Sequence, residues 1–168
     1  MINIHNKSPK ILVIGDLIID HYLWGSSERI SPEAPVAVIS VKNESIVLGG
    51  AANVVNNLKS LGAKVDVISV IGDCEVSTEV EELLKDIKID TSNLVIQKGR
   101  ITSKKSRIIA SQQQIVRFDR EIIDEINIGT QDKIIKKYLE IAHSYDCILL
   151  SDYGKGVLTY SLTQIIIK

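Results

Sequence analysis

KILVIGD, residues 10–16, is a short, unbroken apolar run that ends in Gly-Asp. A strand with one wet face would alternate; this one does not, which suits a strand buried on both faces of a sheet. VDVISVIGD (65–73) repeats the plan, and so does CILLSDYGKG (147–156), where the apolar run again ends in a carboxylate followed by glycines. Helical periodicity fills the intervals: Ala51, Val54, Val55, Leu58 and Leu61, then Val76, Val80, Leu83, Leu84 and Ile87, and later Ile134, Ile135, Leu139 and Ala142. Strands alternating with such helices predict right-handed βαβ units, hence an α/β fold with a parallel sheet flanked by helices.

Two regions break that rhythm. APVAVISV (34–41) and RITSKKSRIIASQQQIVRFD (100–119) are rich in β-branched residues with partial alternation, and read as antiparallel strands outside the main sheet. The expectation is a small β-flap laid over the edge of the α/β core, with Pro32 and Pro35 marking entry into it. VLTYSLTQIIIK (157–168) reads as a loop and a helix opened by Thr159 or Ser161. With 168 residues and neither repeats nor low-complexity linkers, residues 1–168 are read as belonging to one domain.

Composition narrows the function classes. Twenty Lys and Arg against 21 Asp and Glu leave a net charge of −1, so no global field favours nucleic acid or anionic lipid. No apolar run approaches the roughly 18 residues of a membrane span, and MINIHNKSPK lacks the apolar core of a signal peptide. Neither a nucleic-acid nor a membrane partner is expected. Cys74 and Cys147 show no metal or redox spacing and read as unpaired thiols in a reducing cytoplasm. Of the histidines, His5 falls in a frayed terminus and His143 in a helical pattern, leaving His21 beside a possible site.

Ligands of open α/β sheets collect outside the carboxyl ends of the strands. The three apolar runs deliver Asp16, Asp73 and Asp152 to such ends, although an Asp there also commonly caps the next helix. In VLGGAANVVNNLKSLG (47–62), Gly49-Gly50 precedes a helix whose N–H groups could face a polar ligand, or makes only a tight turn. Asn53, in the first turn, can donate and accept as sugar hydroxyls require, or bond its own backbone. Arg100, Lys104, Lys105 and Arg107 fall on the expected flap, where alternation sets Lys105 and Arg107 on one face and Lys104 on the other. That face either grips a phosphate or is a lysine-rich edge that resists aggregation. Lys155, between two glycines, resembles a phosphate-loop lysine but lacks the GxxxxGK[ST] frame.

Together GDLIIDHYLWG (15–25), RISPEAPVAV (29–38), LGGAANVVNNLKSLG (48–62), TSKKSRIIASQQQIVRFD (102–119) and LSDYGKGVL (150–158) resemble the ribokinase-like, PfkB-type carbohydrate kinases. Within them they look like the kinase half of the bacterial heptose 7-phosphate kinase/adenylyltransferases. The resemblance implies phosphoryl transfer from ATP, with Mg²⁺, to the anomeric hydroxyl of D-glycero-D-manno-heptose 7-phosphate, on the ADP-heptose route to lipopolysaccharide core. It implies that Asp20 accepts sugar hydroxyls, with Asp16 starting the same loop, and that Gly49, Gly50 and Asn53 form the substrate signature. Lys105 and Arg107 would lie where the flap meets a phosphorylated sugar, and Asp152 and Lys155 near the transferring phosphates. A homodimer through the β-flap is also implied.

The family's catalytic base sits in a GAGD-type motif, and no GAGD occurs here; nor does the HxGH-type motif of the fused nucleotidyltransferase. The chain is therefore expected to be the N-terminal part of the kinase domain, to carry no catalytic base, and to show no turnover alone. Its last strand and helix are expected to expose apolar surface. Two alternatives stand beside this expectation: a ribokinase-like kinase of another sugar or nucleoside, and a non-catalytic dimerisation module.

Overall fold

The computed structural model describes residues 8–168, so His5 lies outside the described residues. β1 (Lys10–Gly15) pairs in parallel with β4 (Lys64–Ile71) on one side and β8 (Cys147–Ser151) on the other. β5 (Leu94–Ile96) extends the sheet to β5-β4-β1-β8, all parallel. β5 is three residues long and has no counterpart among the strands expected from the sequence.

The unbroken apolar character of β1 now has its cause. Val13 packs on one side with Ala51, Ala52 and Val55 of α1 (Ala51–Ser60) and with Val76, Val80 and Leu84 of α2 (Glu75–Asp86). Leu12 and Ile14 pack on the other with Ile134 of α3 (Ile128–Ile141) and with Leu162 and Ile166 of α4 (Tyr160–Ile167). Each fully buried aliphatic side chain is worth about 1.5–3 kcal/mol, so both faces of the strand must be apolar. Leu61 and Leu139, expected on the buried stripes, are instead 84% and 65% exposed. Leu61 is already the C-cap of α1, while α3 turns Thr130 and Ile134 inward and leaves Leu139 outside. Ala142 and His143 lie in a 3-10 turn after α3, not in the helix. Thr159 does open α4, its Oγ1 accepting from the Leu162 N–H at 3.1 Å.

The second sheet has the order β3-β2-β6-β7, with β2 (Leu17–Ile30), β3 (Ala37–Gly50), β6 (Ser103–Ala110) and β7 (Gln113–Arg120). β2–β3 and β6–β7 are antiparallel, but the central pair β2–β6 is parallel. β2 continues directly from β1, and the chain enters β6 beside the carboxyl end of β4, where the Gly72 N–H donates to Thr102 Oγ1 at 2.8 Å. Both central strands thus leave the main sheet in one direction. The stretch from Leu17, expected as a loop through Asp20, is a 14-residue strand at the centre of this flap. Arg100, expected on the flap, precedes it.

Candidate functional site

Asp16 sits between β1 and β2 and is 1% exposed. Its Oδ2 accepts from the N–H groups of Tyr153 and Lys155 at 2.8 and 3.1 Å, and its Oδ1 accepts from Val157 at 3.1 Å. The loop after β8 is gathered around this carboxylate. From outside, the buried Arg100 guanidinium donates to the carbonyls of Asp124, Ile122 and Lys155. Burial pushes the Arg100 guanidinium below its ordinary pKa, opposed by the charges of Asp16 and Asp124. Asp16 and Arg100 thus shape the loop; the phosphate-gripping role open to Arg100 in the sequence is replaced by this internal one.

Asp73 and Asp152 follow β4 and β8 at the carboxyl end of the same sheet, and both are exposed. The Asp73 carboxylate accepts from the Gly99 N–H and that of Asp152 from the Gly154 N–H, each at 2.8 Å. Neither takes the helix-capping bond weighed for it. Gly154 and Gly156 have φ of 66° and 78°, a left-handed backbone that turns the chain sharply around Lys155. The N–H groups of 153, 155 and 157 point in at Asp16, so this loop offers an incoming phosphate the Lys155 ammonium and not the backbone cradle of a P-loop.

Gly49 and Gly50 are the last residues of β3, both buried, and Gly50 caps α1 with φ 57°. A Cβ on Gly50 would collide with the Asp16 carbonyl, and one on Gly49 with the Asp20 carboxylate. The close approach the glycines permit is therefore to Asp20 itself, on the neighbouring strand. Asn53 stands exposed on the first turn of α1. Asp20 also receives Arg107 Nη1 at 2.6 Å, and the Arg107 guanidinium lies 5.2 Å from the centre of the Tyr22 ring. Tyr22 in turn stacks on Trp24 with ring centres 6.0 Å apart.

Lys105 and Arg107 do share a face of β6. Lys104, on the other face, pairs with Glu79 of α2 at 2.9 Å. His21 lies within a polar trio, its Nδ1 3.0 Å from Ser106 Oγ and its Nε2 2.6 Å from Glu44 Oε1.

Lys105 Nζ donates to Asp119 at 2.7 Å and to Glu121 at 3.4 Å, and Glu121 also receives Lys155 Nζ at 2.8 Å. One carboxylate therefore ties the flap to the loop after β8. Burial raises the Glu121 pKa, but the hydrogen bonds and charges of Lys155 and Lys105 outweigh it and hold the group below its ordinary value. Asp119 is likewise held down, first by the Lys105 hydrogen bond, against a weaker effect of burial. The sequence reading missed Glu121. Its signal was parity: Arg117, Asp119 and Glu121 recur at a spacing of two, as residues on one face of a strand do.

The pfkB family carbohydrate kinase pattern matches residues 8–152. The chain belongs to this family. Within this family match, Gly49 stands against Asp20; the loop carrying Lys155 follows β8 at the strand ends. It is 63% identical over 163 residues to the bifunctional protein HldE of Aliarcobacter butzleri, covering 97% of this chain and 34% of that protein. It is 55% identical over 158 residues to the protein of the same name from Campylobacter fetus, covering 94% of this chain and 34% of the relative. The chain thus spans about a third of the length of these relatives. The fold is shared with the crystal structure of a putative sugar kinase from Clostridium perfringens, at a TM-score of 0.62 and 20% identity over 85% of this chain and 43% of that one. An Arabidopsis thaliana ribokinase, solved with ribose and ATP, gives 0.57 and 14% over 86% and 45%. The α/β, ribokinase-like architecture read from the sequence is the one the structure has.

Proposed function

We propose that this chain supplies the sugar-binding share of an ATP-dependent heptose 7-phosphate kinase that forms the 1,7-bisphosphate on the route to lipopolysaccharide core. The observation that supports this most is the 63% identity to a bifunctional HldE protein over nearly all of this chain. The geometry is compatible in detail. Asp20, half-buried and facing Gly49, accepts sugar hydroxyls once Arg107 turns from it toward the substrate's own phosphate. Asn53 stands exposed in the first turn of α1, at the helix end that favours anions.

ATP with Mg²⁺ would supply the phosphoryl group, and the residues present fit its phosphate end. Lys155 is held at a strand end by a loop of fixed shape, and the exposed Asp152 beside it suits a hydrated cation. Among the described residues no group of three or more acidic, histidine or cysteine side chains forms a metal cage, so Mg²⁺ is taken to arrive on the nucleotide. The sequence has no GAGD motif to supply a base for the sugar hydroxyl, and the 168-residue chain by itself is expected not to turn over. Among the described residues no helix is long and apolar enough to cross a membrane. A cytoplasmic setting, where ATP and phosphorylated sugars are found, completes the reading.

The test is phosphorus NMR of the complete protein with ATP, Mg²⁺ and heptose 7-phosphate. Formation of the 1,7-bisphosphate, abolished by Asp20→Asn, supports the reading; turnover of ribose, fructose or adenosine but not of the heptose phosphate rejects it. A second role, self-association through the flap, is favoured by its exposed Trp24, Val41, Val116 and Phe118. Trp24→Glu should convert a dimer to a monomer in sedimentation, and an unchanged dimer would discard that role.

A further inference from the structure

Lys105 and Lys155 come from different parts of the fold, yet their ammonium groups touch a single carboxylate. Lys105 projects from the flap strand β6, and Lys155 from the loop after β8. Both side chains are largely buried, at 14% and 17% exposure, and Glu121 is equally sheltered at 15%. Two buried ammonium groups this close repel one another unless an anion lies between them, and Glu121 is that anion. The glutamate backbone is anchored, because the next carbonyls, those of Ile122 and Asp124, accept from Arg100. A change of side-chain rotamer would carry the carboxylate away from that fixed point. If it does, Lys105 retains Asp119 and Lys155 is left without an acidic partner among the described residues.

We propose that Lys105 and Lys155 form one seat for a phosphoryl group, and that Glu121 fills this seat in the unliganded protein. A phosphoryl group offers oxygens at a spacing comparable to a carboxylate and carries more negative charge, so it competes for the same two cations. The glutamate keeps the two lysine side chains together until a phosphoryl group displaces it. The seat also separates Lys105 from Arg107: the arginine serves the sugar with Asp20, and Lys105 serves the phosphoryl end with Lys155. This deepens the kinase reading above and rests on it for the identity of the natural ligand.

The test uses inorganic pyrophosphate as the probe. Its affinity is measured by calorimetry on the full chain, with circular dichroism as the check on folding. Glu121→Gln removes the competing charge and should tighten pyrophosphate binding about tenfold. Adding Lys105→Met or Lys155→Met to that variant should each abolish the gain. Glu121→Asp, which keeps the charge, should give a much smaller rise and serves if the glutamine variant does not fold. Unchanged or weaker binding in Glu121→Gln, or a gain that survives loss of either lysine, overturns the single seat. The kinase reading fails separately: a complete protein that binds pyrophosphate in this pattern but never phosphorylates heptose 7-phosphate retains the seat and loses the proposed substrate.

Discussion

Replacing Asp16 by Asn changes one atom of a side chain that is 1% exposed, and the structure gives the consequence a size. The carboxylate accepts three backbone N–H groups, two on Oδ2 and one on Oδ1. An amide keeps only one accepting atom. In its best orientation the carbonyl oxygen takes Tyr153 and Lys155, and the new NH₂ faces the Val157 N–H, donor against donor. Losing one charge-assisted bond costs about 1.5–3 kcal/mol, and the two that survive as neutral bonds each fall to about half their strength. Arg100 also loses the favourable charge of Asp16. The sum is about 3–5 kcal/mol, a large part of the roughly 5–15 kcal/mol that holds a domain together. Urea unfolding followed by far-ultraviolet circular dichroism measures the loss. Hydrogen exchange at Tyr153, Lys155 and Val157 should accelerate first. A variant within 1 kcal/mol of the parent, with those amides still protected, would refute the claim that Asp16 builds the loop and would restore it as a ligand-binding candidate.

Other outcomes follow from single contacts. Gly49→Ala places a methyl group in the Asp20 carboxylate, so sugar binding measured by calorimetry should fall at least tenfold while the melting temperature drops by only a few degrees. Glu121 and Asp119 have pKa values below their ordinary 4.5 and 3.8, so their stabilising contribution is complete above about pH 5. It is lost as pH falls through the lowered values, and the double variant Glu121→Gln/Asp119→Asn should show a flatter acid limb in denaturation. Tyr145 is pushed above its ordinary 10.0, by burial and then by its 2.6 Å hydrogen bond to Asp66. Its contribution is present below pH 10 and is lost as pH rises beyond it; Tyr145→Phe should cost about 1 kcal/mol at pH 7 and remove that alkaline loss.

The main sheet was legible because its strands carry apolar residues on both faces: β1, β4 and β8, the last half-buried at the sheet edge, announce themselves as apolar runs ending at Asp16, Asp73 and Asp152. The flap was only partly legible. Its β6–β7 hairpin turns at Ser111-Gln112, two residues with φ of 50° and 66°, where a sequence reader looks for Asn-Gly or Asp-Gly. Without that turn the register is unknown, and with it the pairing of Lys105 with Asp119. β2 was hidden for another reason: its first half is apolar because it covers the core, and its second half is polar because it projects beyond it. The candidate residues Asp20, Gly49 and Arg107 come together as neighbours in the structure. The antiparallel pairing of β2 with β3 sets Gly49 beside Asp20, and the parallel pairing of β2 with β6, a long-range contact no local pattern encodes, brings Arg107 there.

The central claim is that the Asp20–Gly49–Arg107 cluster receives a sugar that already bears a phosphate. Calorimetric titration of the complete protein with heptose 7-phosphate and with the same heptose lacking phosphate measures this directly. The account requires the phosphorylated sugar to bind at least tenfold tighter and Arg107→Met to erase most of that difference. Equal affinity for the two sugars, or a preference untouched by loss of Arg107, would contradict it.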